Sequence, residues 1–302
     1  MIVDVHTHPA RADALPEVFF DGWADNIRRL LPPELTERQR ARVADRFRLS
    51  RDDPDGDLQV AEMDAAGIDV ACLLLIDFGM AFPGEVATLE SLYADIRRRS
   101  ERHPGRFLPF AAVDPRRGTH GVRLFEQALV DWGFLGLKLY PPCGFSPSDP
   151  SLFPCYELCA AHRVPVITHT GPTSPRLSFR YTHPREIDEA ARLFPGVNFI
   201  LAHGAVVHRD DAALLAEYRP NVYLDTAGFQ TPLGRGEWAT SLAYFKGRGI
   251  LRKILFGSDW PIHYSYGQAG EWLARLGGDG PLDERELRWF YQDNPLEVLR
   301  LS

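Results

Sequence analysis

Of the ten histidines in this 302-residue chain, two stand close together at its start. His6 and His8 end the apolar stretch MIVDVHTHP at spacing i, i+2. Alternate residues of a β-strand point to one face, so both imidazoles leave the same side. Neutral imidazole is a preferred ligand of zinc and its first-row neighbours, and two rings on one rigid strand end make half of a metal site. Taken alone, the pair is equally an ordinary polar strand end. Further donors lie downstream: His169 closes VPVITH, His203 closes VNFILAH, Asp259 closes ILFGSD, and Lys138 lies in GFLGLKLY. Brought together, these groups have the chemistry to hold a divalent ion and lower the pKa of a bound water.

The segments that carry them alternate with helical patterns. Apolar runs at Val70–Ile76, Phe107–Val113, Gly133–Tyr140, Val164–His169, Val197–His203, Val222–Thr226 and Ile254–Asp259 predict strands. Helices are expected over Glu85–His103, Gly118–Trp132, Pro150–His162, Pro184–Phe194, Arg209–Glu217 and Glu237–Gly249, then near Gln268–Leu276 and Glu284–Leu301. Near-continuous apolar runs with helical crossovers are the mark of buried parallel strands. Counting the first, eight such units predict an α/β fold, the (β/α)8 barrel, as a single domain over residues 1–302. Its active-site face is the C-terminal end of the strands, which brings His6, His8, Lys138, His169, His203 and Asp259 together. His103, His120, His162, His183, His208 and His263 fall in helices or loops and are assigned surface or loop roles, His183 and His263 being the two nearest to an exception.

Residues 9–57 interrupt the alternation after strand one and are expected to form a lid. They contain Phe19, Phe20 and Trp23, and an Arg-rich helical stretch, Thr36–Leu49, that reads as a solvated face. The acidic run from Asp53 to Asp64 resembles a calcium loop only at its start, because Leu58 and Asp64 stand where Gly and Glu belong. A turn followed by an N-cap at Asp57 explains the same residues.

A net charge of −7 argues against nucleic acid as a partner and favours a small molecule. No run approaches the ~18 apolar residues of a membrane span, and no basic leader with a cleavage site opens the chain, so a cytoplasmic location is expected. Cys72, Cys143, Cys155 and Cys159 do not read as a disulfide framework, and Cys155 with Cys159 read as small packing residues of a helix face rather than a thiolate site. Phosphate-cradling glycine motifs, a G-x-S-x-G elbow and an H-E-x-x-H helix do not occur.

The segments VDVHTH, MDAAGIDVACLL, GLKLYPP, VPVITHTG, HPREIDEAARLFPGVNFILAHG, LFGSDWP and DNPLEVLRL together resemble the amidohydrolase superfamily over essentially the whole chain. Within it they resemble the amidohydrolase-related group that includes aminocarboxymuconate-semialdehyde decarboxylase. The resemblance implies one divalent metal on His6, His8, His169 and Asp259, most often Zn²⁺, with Mn²⁺ or Fe²⁺ as alternatives. It makes Asp259 both ligand and proton carrier, and His203 the group that polarises a carbonyl or orients the hydroxide. In binuclear relatives a carboxylated lysine at the place of Lys138 bridges two metals; the one-metal arrangement is expected here. Asp4 or Thr168 could orient a ligand from behind.

Tyr140, Phe145, Trp260 and the lid residue Trp23 are expected to give an apolar pocket with few polar anchors, with Lys138 contacting substrate. Arg176 and Arg180 either clamp a substrate carboxylate or face solvent. The leading expectation is a metal-dependent hydrolase of a small anionic amide, ester or lactone. The alternative is a non-oxidative decarboxylase using the same cage. A nuclease of the TatD kind also begins with H-x-H, but acidic charge and Lys138 count against it. A homodimer is left open.

Overall fold

Strand β1 (Val3–Thr7) is buried along its whole length and starts an eight-stranded parallel sheet. The computed structural model describes residues 1–31, 33–42, 53–230, 238–262, 270, 271, 273 and 280–301. The sheet runs in sequence order through β2 (Val70–Leu74), β3 (Phe107–Ala112), β4 (Leu137–Leu139), β5 (Val166–His169), β6 (Phe199–Ala202), β7 (Val222–Asp225) and β8 (Ile254–Leu255). Beyond β8 the chain folds back on β1: Val5 N–H donates to Phe256 O, Asp259 N–H to His6 O and His8 N–H to Trp260 O, at 2.9, 2.8 and 2.7 Å. These bonds bring the last strand's end beside the first, as a barrel requires.

Helices follow the strands as a (β/α)8 barrel demands. They are α1 (Glu17–Leu30) and α2 (Asp57–Ala66) after β1, α3 (Leu89–Arg102), α4 (Gly118–Asp131), α5 (Phe153–His162), α6 (Asp188–Leu193), α7 (Arg209–Tyr218) and α8 (Trp238–Gly247). The last segment splits into α9 (Glu284–Arg288), a π-helical turn (Trp289–Asp293) and α10 (Asn294–Leu299). The single long helix expected over Glu284–Leu301 is therefore broken. Pro295, which has no N–H to give, opens α10 in its first turn, where none is needed.

Other boundaries move for local reasons. Helix α3 begins at Leu89 rather than Glu85, because Thr88 Oγ1 accepts the Ser91 N–H and caps it. Helix α2 is not capped by Asp57: Gly56 stands at the cap, and Asp53 accepts the N–H groups of Leu58 and Gln59. Of the Arg-rich stretch, residues 37–42 are helical and the rest lies outside the described residues, as does most of 268–276. Strand β4 pairs over three residues only, starting after Gly136. At Gly136 the Phe110 ring occupies the space of a side chain, so that a Cβ would stand 2.0 Å from its Cε1.

The main apolar cluster joins strands to the surrounding helices, with Tyr93, Phe125, Tyr156, Phe199 and Phe245 all fully buried. A second cluster takes Val3, Val5, Cys72, Leu74, Phe110, Ile167, Ile200 and Leu255 from strands around the ring and is completed by Val298 and Leu299 of α10. All four cysteines are free and buried. Among the described residues no helix is long and apolar enough to cross a membrane.

Candidate metal centre and pocket

His6, His8 and Asp259 converge at the end of β1 and the chain after β8. His6 Nε2 and His8 Nε2 are 3.2 Å apart, and Asp259 Oδ1 is 3.4 Å from the first and 3.3 Å from the second. The β1 register shifts between Asp4 and Thr7, where the strand turns from pairing to presenting these rings. Each ring is held by its other nitrogen. His8 Nδ1 lies 2.8 Å from Leu74 O, a group that only accepts, so Nδ1 carries the proton. His6 Nδ1 lies 2.8 Å from Asp225 Oδ2, with both side chains fully buried.

With the protons on Nδ1, both Nε2 atoms present lone pairs, and a carboxylate oxygen completes the triangle. Three electron-rich atoms 3.2–3.4 Å apart repel unless a cation lies among them. These separations match the edge of a tetrahedron drawn with the ~2.0–2.1 Å bonds that zinc makes to nitrogen and oxygen. The donor set therefore fits a divalent ion.

His169, at the end of β5, is buried, and its Nε2 has no hydrogen-bond partner among the described residues. Its ring packs 4.7 Å from that of His203 and 4.6 Å from that of Tyr140. His203 donates Nδ1–H to Ala227 O at 3.0 Å, which leaves Nε2 as an acceptor, and burial pushes its pKa down to about 4. His203 and Asp259 both have left-handed backbones, φ 64 and 58. For residues other than glycine that conformation costs about 1–3 kcal/mol each and tends to collect where side-chain placement matters. Asp225 secures one of these turns, because its Oδ1 accepts the His203 N–H at 2.7 Å.

Lys138 is buried, with Nζ 3.5 Å from His6 Nε2, and burial lowers its pKa to about 8. As an ammonium it donates to the same lone pair that an ion would take, so the two are alternatives at His6.

A cavity of about 180 Å³ opens beside these groups. His8, Tyr140, His169, His203 and Asp259 line it, and the segment after β1 contributes Leu15, Phe19, Trp23 and Asn26. Most of the remaining wall is apolar, including Leu75, Ile76, Val206, Val207 and Ile262. Tyr140 donates to or accepts from Thr173 Oγ1 at 2.5 Å, and burial raises its pKa.

Several expected contacts stand elsewhere. Arg176 and Arg180 are exposed, Arg180 over the Tyr181 ring at 5.0 Å, and neither lines the cavity. Trp260 turns its Nε1–H to Glu62 Oε2 at 2.9 Å, Phe145 belongs to the main core, and Lys138 lies behind the cluster rather than in the wall. Asp4 holds backbone, accepting from His6 N–H and Ser258 N–H, and Thr168 Oγ1 has no partner among the described residues. The group behind His6 is Asp225, which sequence reasoning missed although it ends a strand as the other site residues do. The Leu74 carbonyl leaves no mark in a sequence.

Residues 3–301 match the sequence profile of the amidohydrolase family. The chain belongs to that family. Among solved structures, the chain is similar to an uncharacterised TIM-barrel protein of Bordetella bronchiseptica (20% identity, 99% of this chain and 98% of that one, TM-score 0.68). It is also similar to 5-carboxyvanillate decarboxylase of Novosphingobium aromaticivorans, solved with manganese and 4-hydroxy-3-methoxy-5-nitrobenzoic acid (14%, 100% and 96%, 0.69). A third is a probable 2-pyrone-4,6-dicarboxylic acid hydrolase of Acinetobacter baumannii with citric acid bound (15%, 99% and 99%, 0.63). Likeness at these identities shows the fold alone. No curated protein matches the chain.

Proposed function

We propose that this member of the amidohydrolase family is a metal-dependent, non-oxidative decarboxylase of a small carboxylic acid with an apolar body. The observation that carries this reading is the make-up of the cavity. A histidine and aspartate cluster is set in apolar walls, and no Lys or Arg is among the described lining residues. A substrate with a single carboxylate suits that wall, because a second one would be buried without a cationic partner. The similarity to a decarboxylase solved with manganese and an aromatic acid supports the same choice.

In this reading His6, His8, His169 and Asp259 hold one divalent ion, zinc or manganese. When bound, the ion supplies positive charge that draws in the carboxylate and polarises its oxygens. Asp225 and the Leu74 carbonyl fix the tautomers of His6 and His8. His203, neutral with Nε2 open, orients a substrate hydroxyl or carboxyl group. As the carbon–carboxylate bond breaks, its electron pair stays on the carbon. Solvent first gives a proton to the Asp259 oxygen turned away from His6 and His8; the carbon takes that proton, CO2 leaves, and Asp259 ends as the carboxylate it began as. Phe19, Trp23 and the other apolar walls keep water from the reacting carbon.

The hydrolase expected from the sequence would use the same residues on an amide, ester or lactone, and the similarity to a dicarboxylic acid hydrolase supports it. The arginines that would receive such an anionic substrate stand outside the described wall, which places that reading second. Metal-loaded protein incubated with aromatic monocarboxylates, lactones and amides decides between them. CO2 released in step with a decarboxylated product is the expected result; hydrolysis without CO2 overturns the decarboxylase.

A further inference from the structure

A second group of nitrogen and oxygen donors lies apart from the cluster just described. His183 ends the loop after β5, His208 stands just before α7, and Asp211 is in the first turn of α7. Their ligating atoms lie within 4.8 Å of one another. His183 Nε2 is 3.3 Å from Asp211 Oδ2, and the two imidazole rings are 4.8 Å apart.

His208 is the unusual member. It occupies the N-cap position of α7, yet its side chain makes no capping bond, and its ring has no hydrogen-bond partner among the described residues. Its ring is exposed to solvent beside that of His183, and a neutral imidazole keeps one nitrogen lone pair for a cation. His183 Nδ1 accepts the Arg185 N–H at 3.3 Å, which leaves the proton on Nε2 facing Asp211. A cation taken up by Nε2 moves that proton to Nδ1 and gives up the long Arg185 bond. Two imidazoles and a carboxylate are borderline donors, suited to zinc rather than to magnesium or calcium.

The two loops so joined are those that reach the cavity. The first carries Thr170, Pro172 and Thr173, the second Val206 and Val207. They already touch at Gly171, where a Cβ would stand 2.6 Å from Val207 Cγ1.

We infer that His183, His208 and Asp211 form an accessory site for a zinc-class divalent ion, which clips the loop after β5 to the loop after β6. This inference does not rest on the decarboxylase reading, because it uses none of the same residues.

The test is zinc uptake by protein already loaded at the barrel site. Equilibrium dialysis against rising Zn²⁺ should show one further, weaker equivalent, accompanied by a zinc-dependent rise in melting temperature. His208→Ala and Asp211→Asn should lose both. His183→Asn should lose them too, although asparagine still caps the Arg185 N–H, so a damaged helix start would not explain the loss. Uptake that stops at the barrel equivalent in wild-type protein overturns the inference, as does a further equivalent that persists in His208→Ala.

Discussion

Asp225 holds the ring of His6 with one carboxylate oxygen, 2.8 Å from Nδ1, and the backbone of His203 with the other, 2.7 Å from its N–H. One side chain at the end of β7 thus positions groups from β1 and from the turn after β6. Burial raises its pKa, while His203 and Lys138 draw it back toward the charged form. Asparagine at this position keeps the shape but can accept at only one of the two places. Asp225→Asn is expected to weaken metal binding about 10- to 100-fold, the usual cost of losing a partner behind a ligating histidine. Competition with a chelator measures it, and unchanged affinity would show that His6 needs no carboxylate behind it.

Gly136 faces the ring of Phe110, with no room for a methyl group. Gly136→Ala should lower stability by about 1–3 kcal/mol, the common cost of overpacking a core. Combining it with Phe110→Leu should recover part of the loss. Denaturant unfolding of the two variants checks this, and a fully stable Gly136→Ala would mean that the strand yields easily there.

Trp23 lies on α1, within the insertion after β1, and lines the cavity with Phe19 and Asn26. Trp23→Ala should raise KM or change substrate preference while metal content stays as in wild type. If kinetics on a true substrate do not change, the insertion serves packing instead of substrate binding.

Much of this barrel was legible in the sequence because each parallel strand is apolar on both faces and stands out between polar helices. His6, His8, His169, His203 and Asp259 were legible for a related reason: each is a polar residue at the end of an apolar run. Asp225 obeys the same rule, but no second donor stands at ligand spacing beside it in the sequence to mark it out. Strand boundaries were harder. Only Ile254–Leu255 pair with β7 as β8, although the apolar pattern continues to Asp259, because the chain from Phe256 to Trp260 bonds to β1 instead. Arg180 and Trp260 show the other limit, since position near a strand end does not say where a long side chain points. Arg180 lies over Tyr181, and Trp260 reaches Glu62.

The central claim is that one ion is held by His6, His8, His169 and Asp259, with His203 acting on substrate and Lys138 not bridging. Elemental analysis of wild-type protein, His169→Ala, His203→Asn and Lys138→Ala, each dialysed free of loosely held ions, tests it most directly. The expected pattern is about one equivalent in wild type, none in His169→Ala, and about one in both His203→Asn and Lys138→Ala. Turnover of His203→Asn should fall by about 10²-fold or more. Loss of metal from His203→Asn, or a second wild-type equivalent that disappears with Lys138→Ala, would contradict the account and make the centre binuclear.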